Sequence, residues 1–96
     1  VAGLAGTGVS FESVNLPGRY LRHSDYTIRL DANDNTATFR GDATFTQVAG
    51  LADASWSSFR SYNLPDRHLR HANYVLRIDP IGTGASERQD ATFRVS

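Results

Sequence analysis

The alternation of apolar and polar residues predicts short strands along the chain. Tyr26, Ile28 and Leu30 fall on one face of a period-two pattern, with polar residues between them. No window shows a sustained helical period, so the pattern favours an all-β fold. The strands predicted in the first half of the chain are residues 10–14, 19–23, 26–31 and 42–48.

Turn-forming residues separate these predicted strands. Residues 15–18 (NLPG) predict a tight turn, and Pro17 has no N–H to donate to a strand ladder. Residues 32–41 are polar and predict a loop before the last strand. Each predicted strand is therefore short and bounded on both sides.

The same pattern occurs twice, at a constant offset of 48 residues, as from His23 to His71. Residues 10–45 and 58–93 align without a gap and share NLP, LRH and DATF. Repetition at this period is typical of folds built from equivalent supersecondary units. We therefore predict one domain of two repeats, residues 1–47 and 48–96.

Composition narrows the possible functions. The net charge is zero, which argues against nucleic acid as a partner, since phosphate-backbone binding draws on a basic surface. No apolar run approaches the roughly 20 residues that span a bilayer, so we expect no membrane partner. Cysteine is absent, which excludes disulfides and Cys-based zinc sites. No cofactor motif is present, and the start at Val1 predicts a processed or excised piece.

The motif PGRYLRH, an aromatic residue after it, and a closing DATF resemble one known family. That family is carbohydrate-binding module family 42, the arabinose-binding domain of α-L-arabinofuranosidases, and the resemblance spans both repeats. It implies a β-trefoil of three four-stranded units. It also implies non-catalytic, extracellular binding of arabinofuranosyl side chains of hemicellulose, with one shallow pocket per repeat.

A trefoil requires three units, whereas this chain contains two. A single unit cannot bury its apolar face alone, and repeat folds need neighbours to complete the core. We expect either that a third unit lies outside this chain or that copies associate. Three chains carry six units, enough for two trefoils, so a homo-oligomeric trimer is the favoured prediction.

The candidate ligand-binding residues come in matched pairs, one member per repeat. An imidazole can donate one hydrogen bond and accept another, and a carboxylate can accept from two hydroxyl groups, which suits the vicinal hydroxyls of a furanose. A tyrosine ring can stack on the apolar face of a sugar, although parity with Ile28 favours a core position for the first tyrosine. The candidates are His23, Asp42, Tyr26, His71, Asp90 and Tyr74.

Each candidate also has a purely structural interpretation. The histidines could bond to backbone, and the aspartates could accept from backbone N–H groups at a strand start. Asn15 and Asn63 could be pocket donors, but they precede proline by two residues, which favours turn chemistry. Trp56 predicts a lid over the open end of a barrel. The repeated arginines, predicted to pair with Asp31 and Asp79 or to face solvent, are Arg22, Arg29, Arg70 and Arg77.

An enzyme is the weakest interpretation. Glycoside hydrolysis needs two carboxylates flanking one bond, and the repeated aspartates fall in different units. His68 and His71 lie three residues apart in a predicted strand and point to opposite faces, which makes a poor metal pair. The alternative to sugar binding is therefore a structural or protein-interaction module without a competent sugar site.

Overall fold

A computed structural model describes residues 1–72 and 75–94 of the chain. Six strands form one antiparallel sheet, in the order β1-β2-β6-β5-β4-β3. Two six-residue helices accompany the sheet. The elements are β1 Arg19–Ser24, β2 Thr27–Ala32, α1 Ala37–Asp42, β3 Phe45–Ala49, β4 Ser57–Ser61, β5 His68–Ala72, β6 Val75–Asp79 and α2 Ala85–Asp90. The all-β prediction is confirmed at this level.

A two-residue turn closes the first hairpin and sets its register. Asp25 and Tyr26 both have positive φ, 51° and 65°, which is the type I′ geometry that matches the twist of paired strands. Ser24 consequently pairs with Thr27. The predicted strand start at Tyr26 is wrong, because that residue is one of the two turn residues.

The predicted core face of this hairpin is also only partly right. Ile28 packs against the hydrophobic cluster, whereas Tyr26 and Leu30 are exposed. Residues 10–14 do not form a continuous strand either. Within them, Glu12 forms an isolated bridge with Tyr20.

The absence of helix predicted from the sequence is wrong. Thr36 caps α1 through its hydroxyl, which accepts from the Phe39 amide at 3.1 Å. The predicted strand at residues 42–48 begins three residues late, at Phe45, because Asp42 is the last residue of α1. The polar segment predicted as a loop therefore supplies the helix that places Asp42.

One hydrophobic core is shared by both halves of the sequence. Its buried centre comprises Phe45, Phe59, Leu69 and Ile78. Phe11 lies between Phe45 and Phe59, with ring centroids 5.7 and 5.1 Å away. Burial of these side chains is the main stabilising contribution available to so small a chain.

Hydrogen bonds outside the strands recur at the 48-residue offset. The Ser10 hydroxyl donates to the Ala43 carbonyl at 2.7 Å, and the Ser58 hydroxyl donates to the Ala91 carbonyl at the same distance. Thr44 and Thr92 likewise donate to the carbonyls four residues before them. Equivalent sequence positions therefore have equivalent local structure in the two halves.

No helix in the described ranges, 1–72 and 75–94, is long and apolar enough to cross a membrane.

Candidate functional site

The predicted pair His23 and Asp42 lies together in a buried polar cluster, the first cluster, completed by Asn63. His23 Nε2 is 2.7 Å from Asn63 Oδ1 and 3.4 Å from Asp42 Oδ1. Asn63 Nδ2 donates to Asp42 Oδ1 at 2.8 Å. Because an amide oxygen only accepts, Nε2 must carry the proton of this contact. One side-chain amide therefore satisfies both predicted site residues.

Arg22 fixes the other side of the first cluster. Its Nη2 donates to Asp42 Oδ2, and its Nη1 lies 3.6 Å from Asp31. The Arg22 guanidinium stands over the Phe39 ring, 5.1 Å from the ring centroid. Helix α1 therefore supplies both groups that contact Arg22, the Asp42 carboxylate and the Phe39 ring. The predicted pairing of Arg22 with Asp31 is confirmed, and the bond to Asp42 is an addition to it.

Asn63 belongs to the first cluster, although the sequence favoured turn chemistry over a pocket role for it. The Ser61 hydroxyl serves the turn, accepting from the Leu64 amide at 3.3 Å and contacting Asn63 Oδ1 at 3.2 Å. The amide of Asn63 is thereby aimed at His23. The sequence signal for a role of Asn63 in the cluster was the NLP motif, which occurs in both repeats.

Close approach of Asn63 depends on a glycine in α1. A Cβ added to Gly41 would lie 3.2 Å from Asn63 Nδ2, which is tighter than an ordinary van der Waals contact. Gly41 is buried next to Asp42, at the end of the helix. The equivalent position in the second half is Gln89.

The equivalent second cluster, comprising Arg70, His71 and Asp90, has the same core contact but a different environment. Arg70 Nη2 donates to Asp90 Oδ2 at 2.7 Å, and His71 Nε2 lies 3.7 Å from Asp90 Oδ1. Among the described residues, no side chain makes the contacts that Asn63 makes in the first cluster. The His71 and Asp90 side chains are 57% and 26% exposed, against 9% and 10% for His23 and Asp42.

The two clusters therefore differ in geometry, and the predicted pocket in each repeat stays a prediction. The first cluster is closed by Asn63, whereas the second is open to solvent. The physical cause of this difference is position in the chain, because the segment that follows the first repeat folds over the first cluster. The second cluster has no such cover within residues 1–72 and 75–94.

Among the described residues, the tyrosine candidate Tyr26 does not take part in either cluster. Tyr26 is half-exposed at the β1–β2 turn, and the Arg67 guanidinium lies 3.7 Å from the centroid of its ring. One face of that ring is thereby occupied by a cation. Its predicted core position is wrong, because the turn directs it out of the sheet. Tyr74 lies outside the described residues.

The remaining predicted residues have mixed outcomes. The pairings of Arg29 with Asp31 and of Arg77 with Asp79 are confirmed, at 3.6 and 3.3 Å. Trp56 does not belong to the hydrophobic cluster. It is 43% exposed and lines a surface concavity together with Ala52, Asp53, Gln89 and Thr92.

The third histidine differs from both cluster histidines. Burial, and secondarily the charge of Arg60, lowers the pKa of His68 below its ordinary value of 6.5. Its Nδ1 is buried and has no hydrogen-bond partner within the described part of the chain. Within the same residues, no group of three or more side chains is arranged to hold a metal ion.

The second cluster presents a defined pattern to solvent. In the tautomer that His23 has toward Asn63, His71 Nε2 offers a donor, and Asp90 Oδ1 offers an acceptor 3.7 Å away. A ligand that supplies one acceptor and one donor close together would complete the pattern that Asn63 completes in the first cluster. A hydroxyl group can do both.

These features define a small all-β domain that carries one closed and one solvent-open polar cluster. The family model of the Alpha-L-arabinofuranosidase B (ABFB) domain matches residues 1–95, and the chain belongs to that family. The predicted family is thereby confirmed.

Relatives in the comparison are far longer than this chain. An alpha-L-arabinofuranosidase B of Aspergillus oryzae is 52% identical over 50 residues, covering 51% of this chain and 10% of that protein. The Aspergillus niger enzyme of the same name is 46% identical over 63 residues, covering 59% of this chain and 13% of the relative. The match is therefore to a small part of each relative.

Solved structures show the same fold over nearly the whole chain. A crystal structure of an arabinofuranosidase complexed with arabinofuranosyl-alpha-1,2-xylobiose superposes with a TM-score of 0.86 and 37% identity. The superposition covers 98% of this chain and 21% of the arabinofuranosidase chain. A GH54 α-L-arabinofuranosidase soaked with a cyclic sulfate inhibitor gives a TM-score of 0.84 at 36% identity, with the same coverage of both chains.

Proposed function

We propose that this chain is a non-catalytic binding module for arabinofuranosyl side chains of hemicellulose such as arabinoxylan or arabinan, and that the second cluster is its principal site. The observation that supports this most strongly is the open pair of His71 and Asp90, beside a closed copy of the same pair. The relatives are named arabinofuranosidases, and one similar structure is of a complex with an arabinofuranosyl xylobiose.

The donor and acceptor of the open pair match a furanose hydroxyl. In the first cluster the Asn63 amide accepts from His23 and donates to Asp42. A sugar hydroxyl can accept from His71 Nε2 and donate to Asp90 Oδ1 in the same way. Since Arg70 holds the Asp90 carboxylate through its other oxygen, a bond to Oδ1 is charge-assisted and competes well with water.

The first cluster would bind sugar only if Asn63 moved away. Its two polar contacts occupy the same atoms, His23 Nε2 and Asp42 Oδ1, that face solvent in the second cluster. We therefore assign the first cluster to holding the two halves of the chain together. The module then offers one weak site per chain, and useful affinity for a branched polymer comes from several modules acting together.

The repeat organisation fits this role. We propose a single domain of two trefoil-type repeats, residues 1–47 and 48–96, working outside the cell, where arabinosylated polysaccharides occur. A third unit would complete the trefoil, supplied by other copies or by a segment beyond this chain. The trimer that builds two trefoils stays a prediction.

A structural or interaction module is the second candidate. It is favoured by one observation, namely that in the first cluster the predicted sugar-binding residues bond to Asn63 of the same chain. In that case both clusters serve assembly. We expect no release of arabinose from a chromogenic arabinoside under either proposal.

The test is an NMR titration of the three histidine side chains with methyl arabinofuranoside. Binding at the second cluster predicts saturable shifts of the His71 imidazole signals, small shifts for His23, and none for His68, which serves as the internal control. Methyl galactopyranoside is the matched ligand control. Unchanged His71 signals at millimolar arabinoside, in a folded chain, would contradict the proposal and favour the assembly role.

A further inference from the structure

Asn15 and the second cluster offer the same complementary groups that Asn63 and the first cluster bring together inside the chain. Asn15 stands 48 residues before Asn63, in the same NLP motif. Ser13 accepts from the Leu16 amide at 3.1 Å, as Ser61 does from the Leu64 amide. The Asn15 loop therefore has the turn that presents Asn63 to the first cluster.

The apolar surroundings of the two loops differ in a way that marks the first as unpartnered. Leu64, next to Asn63, packs against the hydrophobic core. Leu16, next to Asn15, is 51% exposed, and Val14 on the other side is 93% exposed. Exposed apolar side chains around an unused polar anchor are typical of an interaction surface.

We propose that Asn15 of a second copy of this chain binds the second cluster, donating to Asp90 and accepting from His71 as Asn63 does with Asp42 and His23. The contact is head-to-tail: each copy offers Asn15 at one edge and the pair His71 and Asp90 at the other. Repetition of such a contact closes into a ring when the rotation allows it. Val14 and Leu16 would be covered in the same contact.

This inference rests on the proposed function in one respect, because it places Asn15 of the second copy on the same atoms that are proposed to bind sugar. Asn15 and an arabinofuranosyl hydroxyl would use the same His71 Nε2 and Asp90 Oδ1. Sugar binding and self-association are therefore mutually exclusive at this cluster. Sugar then dissociates the assembly by binding only the free form.

One difference between the two clusters sets the tightness of the contact. Gly41 lets Asn63 approach the first cluster, and its place is taken by Gln89 in the second. The Cβ of Gln89 requires Asn15 to sit a few tenths of an ångström further out. Gln89→Gly removes that obstacle and should tighten association.

The experiment is sedimentation velocity of the 96-residue chain across a concentration series, without sugar. We expect concentration-dependent association that Asn15→Ala and Asp90→Ala each weaken about tenfold or more, as expected for loss of hydrogen bonds to a charged group. Mixing the two variants should restore part of the association, because Asn15→Ala keeps an intact second cluster and Asp90→Ala keeps an intact Asn15. Asn35→Gly, at an exposed asparagine with φ of 63°, is the matched control and should leave association unchanged.

Several outcomes would overturn the inference. They are a chain that stays monomeric at every concentration, association that neither variant weakens, and no recovery on mixing. Adding methyl arabinofuranoside separates this inference from the proposed function. Sugar that binds His71 and leaves association intact contradicts the shared atoms. If sugar does not bind but Asn15→Ala still abolishes association, the contact stands and the sugar-binding proposal fails.

Discussion

At the scale of single residues, the two aspartates that the sequence presents as equivalent have different surroundings. Asp42 is almost fully buried and contacts Arg22, His23 and Asn63. Asp90 keeps the arginine contact but is more exposed. The residue pair was predictable from the repeat, whereas the difference was not, since it depends on which segment lies over each cluster in space.

This difference predicts unequal stability costs. Asp42→Ala leaves the partly buried Arg22 guanidinium and the Asn63 amide without the carboxylate that accepts their hydrogen bonds, and should lower the free energy of unfolding by about 2 kcal/mol. Asp90→Ala removes a solvent-screened ion pair and should cost about 1 kcal/mol or less. Urea unfolding of both variants measures the difference. Equal costs would show that the first cluster is not buried in solution.

His68 predicts a pH dependence of stability with a defined sign. Its folded-state pKa is lowered by burial and by Arg60, so below about pH 6.5 the unfolded chain takes up a proton that the native ring resists. Stability contributed by this residue is therefore intact above that pH and falls as the pH drops through and below it. His68→Tyr, which introduces the residue found at the equivalent position 20, should flatten this part of the profile.

The measurement is the difference in unfolding free energy between wild type and His68→Tyr at pH 7.5 and at pH 5.5. Subtracting the variant cancels the other titrating groups that the two proteins share. The wild type should lose more stability on acidification than the variant. An identical loss in both would contradict the lowered pKa of His68.

At the scale of elements, the helices account for most of what the sequence did not predict. Six residues are too few to show a helical period, so α1 was hidden in a polar segment between predicted strands. The local signal for it was Thr36 three residues before Phe39, a capping hydroxyl ahead of a buried ring. Strands were predicted better, because period-two alternation is visible even in five residues.

The two helices are anchored unequally, and this difference parallels that of the clusters. Helix α1 has a side-chain cap and three buried residues, whereas α2 begins at Gly84 without a side-chain cap and buries none. The residue equivalent to Phe39 is Glu87, which bonds to the Gly82 amide at 2.8 Å. The Asp90 cluster therefore stands on a less firmly packed helix.

Capping substitutions should move stability in opposite directions in the two helices. Thr36→Ala removes the α1 cap and should cost about 1 kcal/mol. Gly84→Ser creates the sequence Ser-Ala-Ser-Glu, a capping box with Glu87, at a backbone conformation that serine adopts freely (φ −67°, ψ 138°), and should gain about 0.5 kcal/mol. Urea unfolding checks both, and a stabilising Thr36→Ala would contradict the assigned cap.

At the scale of the whole molecule, the two halves of the chain share one hydrophobic core and carry one solvent-open polar cluster. Phe45 of the first half and Phe59 of the second are both buried in the shared core, and Asn63 of the second half seals the cluster of the first. The sequence predicted the repeat, the all-β class and the family. The difference between the two clusters was not predicted, because a linear repeat does not show that the second copy covers the first.

The most direct test of the account is a calorimetric titration of the chain with an arabinofuranosyl-substituted xylo-oligosaccharide. We predict saturable binding at one site per chain, abolished in Asp90→Ala and retained in Asp66→Ala, a control at an exposed aspartate of the neighbouring turn. Asp42→Ala, where it stays folded, should retain binding at the second cluster. Binding that survives Asp90→Ala, or a folded chain that releases no heat, would contradict the central claim that the open His71 and Asp90 pair recognises the sugar.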